Sequence, residues 1–273
     1  MKVSELRLIQ KRLAEDALYF GQIDGKRGPK TDKALALALA LRSAELPEQW
    51  QGWSQARWAV AYLQLLCHDR NIDAGKIDGL YGPQTESAAR SLRILNATGS
   101  LPRGFGDIVP LRANPHQFPM EGEDGLSDFY GKPCAVRLVQ VQCPWTLRLD
   151  WDLTNTTRTI SIHEKLSDSL ARILQKAYAV YGLEGLKNHG LDRYGGSFNC
   201  RKKRGSVSAW STHAWGIAID WYPSMNKLAW GSNKATLAHP DLDPWWGIWE
   251  QEGWLSLGRC EDRDWMHVQA AKR

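Results

Sequence analysis

Cysteine is sparse in this chain and carries no pattern. Its five residues, Cys67, Cys134, Cys143, Cys200 and Cys260, form no C-x-x-C pair and leave one over, which excludes a four-cysteine zinc knuckle and argues against a disulfide framework. Buried or free thiols in a reducing compartment are therefore expected. Long apolar runs are missing too. None approaches the roughly 18 residues that span a bilayer, so no transmembrane segment is expected. The opening residues, Met1-Lys2-Val3-Ser4-Glu5, run straight into a charged amphipathic pattern with no apolar stretch and no small-residue cleavage site. No signal peptide is seen, and the expectation is a soluble polypeptide made in the cytoplasm that needs outside help for export. Neither sign of charge dominates: a net charge of +5 is a mild basic bias, which favours an anionic partner without choosing between nucleic acid, membrane surface and bacterial wall.

Apolar residues, by contrast, are present in ordinary amount. With 43% hydrophobic and 24% charged residues, the chain buries a core and is not largely disordered. Its 273 residues allow a catalytic domain of usual size and something smaller. Tryptophan is abundant, at 14 residues, which suits either sugar- and peptide-holding grooves or plain core packing.

An internal duplication marks the first hundred residues. An offset of 54 residues aligns Gln10 with Gln64, Gly21 with Gly75, Ile23-Asp24-Gly25 with Ile77-Asp78-Gly79, Gly28-Pro29 with Gly82-Pro83, Thr31 with Thr85 and Ala34 with Ala88. Such self-similarity indicates two copies of one supersecondary unit. Each copy reads as an amphipathic helix, a turn, and a second helix: Gly25 and Gly79 suit positive φ in the turn, while Pro29 and Pro83 suit the first turn of the following helix. The twice-repeated Ile-Asp-Gly-x-x-Gly-Pro-x-Thr string resembles the peptidoglycan-binding domains carried at the ends of many cell-wall hydrolases. That resemblance implies wall-binding repeats at 1–45 and 55–98, with bacterial peptidoglycan as partner. A helix-turn-helix reading DNA is the competing interpretation, but neither copy carries a dense basic recognition helix, so no nucleic-acid partner is expected. The string is expected to be chiefly structural, and it does not say which atoms touch the ligand.

Residues 99–125 are rich in Gly and Pro and read as a linker. From Leu126 onward the texture changes. Residues 135–139 and 147–149 look like short strands, 164–181 like one helix of 3.6 period, and 217–221 and 266–269 like further strands. The expected fold is multidomain: all-α helical repeats followed by an α+β domain, 126–273, with a small, mostly antiparallel sheet.

Two imidazoles and two carboxylates stand out in that domain. In a strand Asp220 lies opposite in direction to Ile219 and Trp221, and an acid at the end of so apolar a strand needs a partner. His213 lies before a bend at Gly216 that lets the chain fold back toward Asp220. His267 enters from another strand, with Asp264 three residues before it. Two neutral imidazoles and one carboxylate can hold one Zn2+ with an open position, leaving Asp264 as general base.

The pattern Ser211-x-His213-x-x-Gly216-x-Ala218-x-Asp220 with Asp264-x-x-His267 resembles the zinc peptidases that include D-alanyl-D-alanine carboxypeptidases and phage L-alanyl-D-glutamate endopeptidases. The resemblance implies zinc ligands His213, Asp220 and His267, Asp264 as catalytic base, and an upstream arginine on the substrate, Arg201 first and Arg204 second. Ser211 is expected to support the ligand loop as a hydrogen-bond donor. His68, His116, His163, His189 and His239 are expected to be ordinary hydrogen-bonded core histidines.

Rival chemistries are a thiol hydrolase using Cys200 and a glycosidase using Glu250 or Glu252 beside the Trp245–Trp249 run. A wall-binding protein with a dormant zinc site is the non-enzymatic alternative. Repeats, zinc domain and missing signal together resemble a phage endolysin. That resemblance implies a monomer held in the host cytoplasm until lysis and then acting in the periplasm on the stem peptide. The L-Ala-D-Glu bond is favoured over D-Ala-diaminopimelate or D-Ala-D-Ala.

Overall fold

The computed structural model describes residues 1–273. It is mixed α/β, with eight α-helices and one six-stranded sheet. Contacts divide the chain into two compact units, Met1–Pro102 and Arg103–Arg273, each with its own apolar core. No helix is long and apolar enough to cross a membrane.

The first unit is helical: α1 (Val3–Glu15), α2 (Pro29–Leu41), α3 (Gln55–His68) and α4 (Pro83–Thr98). Pro29 and Pro83 open α2 and α4, where an amide proton has no partner to lose. Ile9 and Leu13 of α1, Leu35 and Leu39 of α2, Leu63 and Leu66 of α3 and Leu92 of α4 meet in a single core. The two copies, expected over 1–45 and 55–98, fold together as one four-helix unit around a shared core.

The repeated string explains itself in that unit. Gln10 Oε1 accepts the Gly25 amide at 2.8 Å and Gln64 Oε1 accepts the Gly79 amide at 2.9 Å. Their Nε2 groups donate to Asp24 and Asp78, each at 3.0 Å, and to Thr31 and Thr85. At Gly79, with φ of 67°, a Cβ would stand 2.6 Å from the Arg57 carbonyl oxygen, so only glycine fits the turn.

The second unit runs α5 (Glu123–Tyr130), β1 (Leu138–Leu149), β2 (Asp152–His163), α6 (Ser167–Asn188), β3 (Arg193–Gly196), β4 (Ala218–Trp221), α7 (Asp243–Gln251), β5 (Leu255–Ser256), α8 (Leu257–Glu261) and β6 (His267–Gln269). The sheet order is β2-β1-β3-β4-β6-β5. Only β1 and β3 pair in parallel, so the sheet is mostly antiparallel, as expected. The two short strands expected near 135–149 are one strand, whose pairing shifts between Gln142 and Leu147, around Pro144. Proline cannot donate to a ladder, and the shift accommodates it. Leu170, Ile173, Leu174 and Ala177 bury one face of α6 in the core, until Gly182 at φ 58°, ψ 177° breaks the helix.

Two expectations fail. Most of the linker at 99–125 belongs to the second unit: Arg103 pairs with Asp243, the Leu111 amide donates to Glu250 at 2.8 Å, and Phe118 is buried in the core. Glycine and proline mark the lack of regular structure there, not the lack of packing. Cys134 and Cys200, 66 positions apart, form a disulfide, whereas only Cys67, Cys143 and Cys260 are free. Spacing patterns cannot show a pair that meets only through the fold.

Candidate metal centre

Three elements bring the site together. His213 sits in a 3-10 turn, Thr212–Trp215, that Gly216 ends at φ 64°, ψ 35°. A side chain on Gly216 would put a Cβ 2.5 Å from Leu138 Cδ2, so glycine is what lets the chain double back into β4. Asp220 lies on β4, and β6 places His267 directly opposite it in antiparallel register. Asp220 Oδ1 is then 3.4 Å from His213 Nε2 and 3.1 Å from His267 Nδ1, and one ligand atom from each residue lies within 4.8 Å of the others.

The far nitrogens decide which atoms face inward. His213 Nδ1 meets the Ser197 carbonyl at 2.7 Å, an acceptor only, so that nitrogen carries the proton and Nε2 offers a lone pair. His267 Nε2 meets Gln269 Oε1 at 3.0 Å, and its Nδ1 faces Asp220 Oδ1 at 3.1 Å. His213 Nε2, His267 Nδ1 and Asp220 Oδ1 converge on one point. The three side chains could hold a cation, and two imidazoles with one carboxylate suit zinc; an imidazolium paired with Asp220 fits the same distances.

The charged groups are coupled to one another. Burial alone would raise the Asp220 carboxyl, but His213 and then His267 outweigh it and hold it far below the usual carboxylate range. Burial opposes charge on His267, yet Asp220 pulls its pKa up. Asp264 occupies a left-handed conformation, φ 54°, fixed by its amide on the Leu228 carbonyl at 3.0 Å and its carbonyl on the His267 amide at 2.9 Å. Its Oδ1 is buried without a hydrogen-bond partner. Burial pushes its pKa up, and it feels the charges of His267, Asp220 and His213. Asp264 thus combines a left-handed backbone with a buried carboxylate oxygen that has no hydrogen-bond partner, close enough to the three converging groups to feel their charges.

The remaining candidates lie outside the cluster. Arg201 is half-buried, its guanidinium on the Lys202 carbonyl at 3.2 Å, and Arg204 is exposed; neither bonds to a cluster member. Ser211 supports the ligand turn through its main chain and not through its hydroxyl: its amide donates to the Arg201 carbonyl at 3.1 Å and its carbonyl accepts the Ala214 amide at 2.8 Å. Cys200 is spent in the disulfide, which removes the thiolate a thiol hydrolase needs. Glu250 is ion-paired with Arg259, and Glu252 with Arg172 while also lying 2.9 Å from His116 Nε2, so neither is a free acid for glycoside chemistry. Trp245, Trp246 and Trp249 are fully buried and form core, not a cleft wall. His163 is a buried core histidine on the Tyr130 carbonyl, as expected, whereas His68 is exposed at the end of α3.

Two residues of the site were missed from the sequence. Ser197 contributes only a carbonyl, for which no side-chain signal exists. Gln269 had one: it stands two positions after His267 in a strand and hence on the same face. Comparison of the chain with protein-family models, with characterised proteins and with solved structures finds no match to any of them.

Proposed function

We propose that this chain is a zinc-dependent peptidoglycan hydrolase in which the helical repeats hold the wall polymer and the second unit cuts the stem peptide. The observation that carries the reading is the convergence of His213 Nε2, Asp220 Oδ1 and His267 Nδ1 beside a buried, unpartnered Asp264. His213, Asp220 and His267 would hold a zinc ion, which would supply Lewis acidity and an activated water. Asp264, whose burial raises its proton affinity, takes the proton from the attacking water and returns it to the leaving amine. Arg201, whose main chain is tied to Ser211 two residues ahead of His213, clamps a substrate carbonyl or carboxylate, with Arg204 as the second choice. Attachment through the repeats raises the local concentration of an insoluble substrate. The L-Ala-D-Glu bond is the proposed target, in the setting of a phage endolysin that reaches the wall at lysis.

The test separates metal binding from chemistry. Asp264→Asn is expected to keep one zinc per chain by elemental analysis while hydrolysis of purified sacculi falls by roughly 10²–10⁴. His213→Ala is expected to lose both zinc and hydrolysis. Mass spectrometry of released muropeptides identifies the bond. A wild-type protein that binds sacculi and zinc but releases no new amino groups defeats the enzymatic reading and leaves a wall-binding protein.

A further inference from the structure

The turn that carries His213 is held from two sides. On one side the Gly131 carbonyl accepts the Trp215 indole N–H at 2.8 Å, and the Cys134 amide donates to the Ala214 carbonyl at 2.7 Å. On the other the Ser197 carbonyl lies 2.7 Å from His213 Nδ1, the Asn199 amide donates to the His213 carbonyl at 3.1 Å, and the Arg201 carbonyl accepts the Ser211 amide at 3.1 Å. Neither 131–134 nor 197–201 lies in a helix or strand, so regular structure of their own does not keep these groups in place. The Cys134–Cys200 bond joins one segment to the other. It closes a ring of contacts around Thr212–Trp215.

This bond is open to exchange. Cys200 is exposed and Cys134 half-buried, so a thiol from solution reaches the Cys200 sulfur. Cys134 sits in the left-handed region, φ 65°, which a residue other than glycine keeps only while its surroundings hold it there. Exposed or strained disulfides are the labile ones, whereas structural ones resist the thiol pool.

We propose that the Cys134–Cys200 bond is a redox gate on the metal turn: closed, it fixes His213 for metal binding, and open, it lets the turn loosen and the site lose affinity. The loss of affinity rests on the metal reading of the site; the loosening of the turn does not. Opening is a two-electron step. One thiolate of a dithiol attacks Cys200 Sγ, breaking the S–S bond and releasing Cys134 as a thiol. The second thiolate attacks the mixed disulfide and releases Cys200. The chain gains two electrons and two protons, and the dithiol leaves as its own disulfide. A disulfide oxidant runs the exchange backward. Among thiols the chain is latent, and where thiols are scarce it is armed.

The experiment compares the full chain oxidised, the full chain reduced by a phosphine, and Cys134→Ser/Cys200→Ser. A phosphine takes oxygen from one water as it reduces the bond and offers the metal no thiol. The readouts are amide hydrogen exchange on the metal-free protein and zinc affinity by competition with a chelating dye. Reduction is expected to speed exchange at Asn199 and Ala214 roughly 10-fold, with no dependence on low denaturant, the mark of a local opening. It is also expected to weaken zinc binding by roughly 10- to 100-fold. Cys134→Ser/Cys200→Ser is expected to match the reduced protein and to ignore the phosphine, which removes the freed thiols as an explanation. Reoxidation of the wild-type chain with glutathione disulfide is expected to restore both readouts. Unchanged exchange at Asn199 and Ala214 overturns the proposal, as does faster exchange that follows denaturant with the slope of the α6 core, since the bond is then only a staple of the whole unit. Equal zinc affinity in the two redox states overturns it too. If the oxidised chain takes no zinc, the metal reading fails, and hydrogen exchange alone decides the gate.

Discussion

Glu252 shows how a single residue is held in this molecule. Burial would raise its carboxyl, but Arg172 and His116 outweigh burial and bring it down to about 2. A depressed folded-state pKa means stability that is present above the unfolded value near 4.5 and lost as pH falls toward 2. Glu252→Gln is therefore expected to lower stability by about 2 kcal/mol at neutral pH, with the deficit closing between pH 4.5 and pH 2 in urea titrations at stepped pH. Gly216 is a second test at this scale. Gly216→Ala meets both a positive φ and Leu138 Cδ2 at 2.5 Å, and is expected to cost about 1–3 kcal/mol and to weaken zinc binding by displacing His213. Residues of this kind were legible where chemistry demands a type: histidine and aspartate at positions that converge in the fold, glycine at a reversal. Cys134 was not, because nothing local connects it to Cys200.

Among the elements, the repeated turn is the clearest case of sequence dictating structure. Gln64 makes hydrogen bonds to the Gly79 amide, Asp78 and Thr85 while itself only 1% exposed, so its amide satisfies polar groups that water cannot reach. Gln64→Ala is expected to destabilise the helical unit by about 2–3 kcal/mol and to speed hydrogen exchange at Gly79, with Gln10→Ala doing the same at Gly25. The duplication was readable because every partner lies within about one supersecondary unit of the other. Strand ends were less readable: β1 joins two apparent strands across Pro144, because that stretch pairs with β2 alone, β3 joining only at Arg148 and Leu149, and tolerates a shift that a propensity count treats as a break. The tryptophan run at 245–249 was ambiguous in sequence, and only packing assigned it to the core, together with Trp145, Trp215, Trp221, Trp254 and Trp265.

Across the whole molecule, the disulfide ties the segment before β1 to the loop that leads into the metal turn. Closing a loop of 66 residues is worth about 4 kcal/mol in the chain-entropy model. Reductant, or Cys134→Ala with Cys200→Ala, is expected to lower the stability of the second unit by a comparable amount in denaturant unfolding. A chain lacking 1–102 is expected to sediment poorly with sacculi yet still cleave soluble stem peptide, because the second unit has its own core. What the sequence determined by itself was local or chemically obligatory: the repeated turn, the mostly antiparallel α+β texture, and the residue types that can hold a metal. Only the tertiary structure decided that the two repeats share one core, that the glycine- and proline-rich segment is packed, and that Cys134 meets Cys200 beside the turn that carries His213. Each of those depends on segments far apart in the chain, and such contacts form only when burial of apolar surface outweighs the entropy of bringing those segments together.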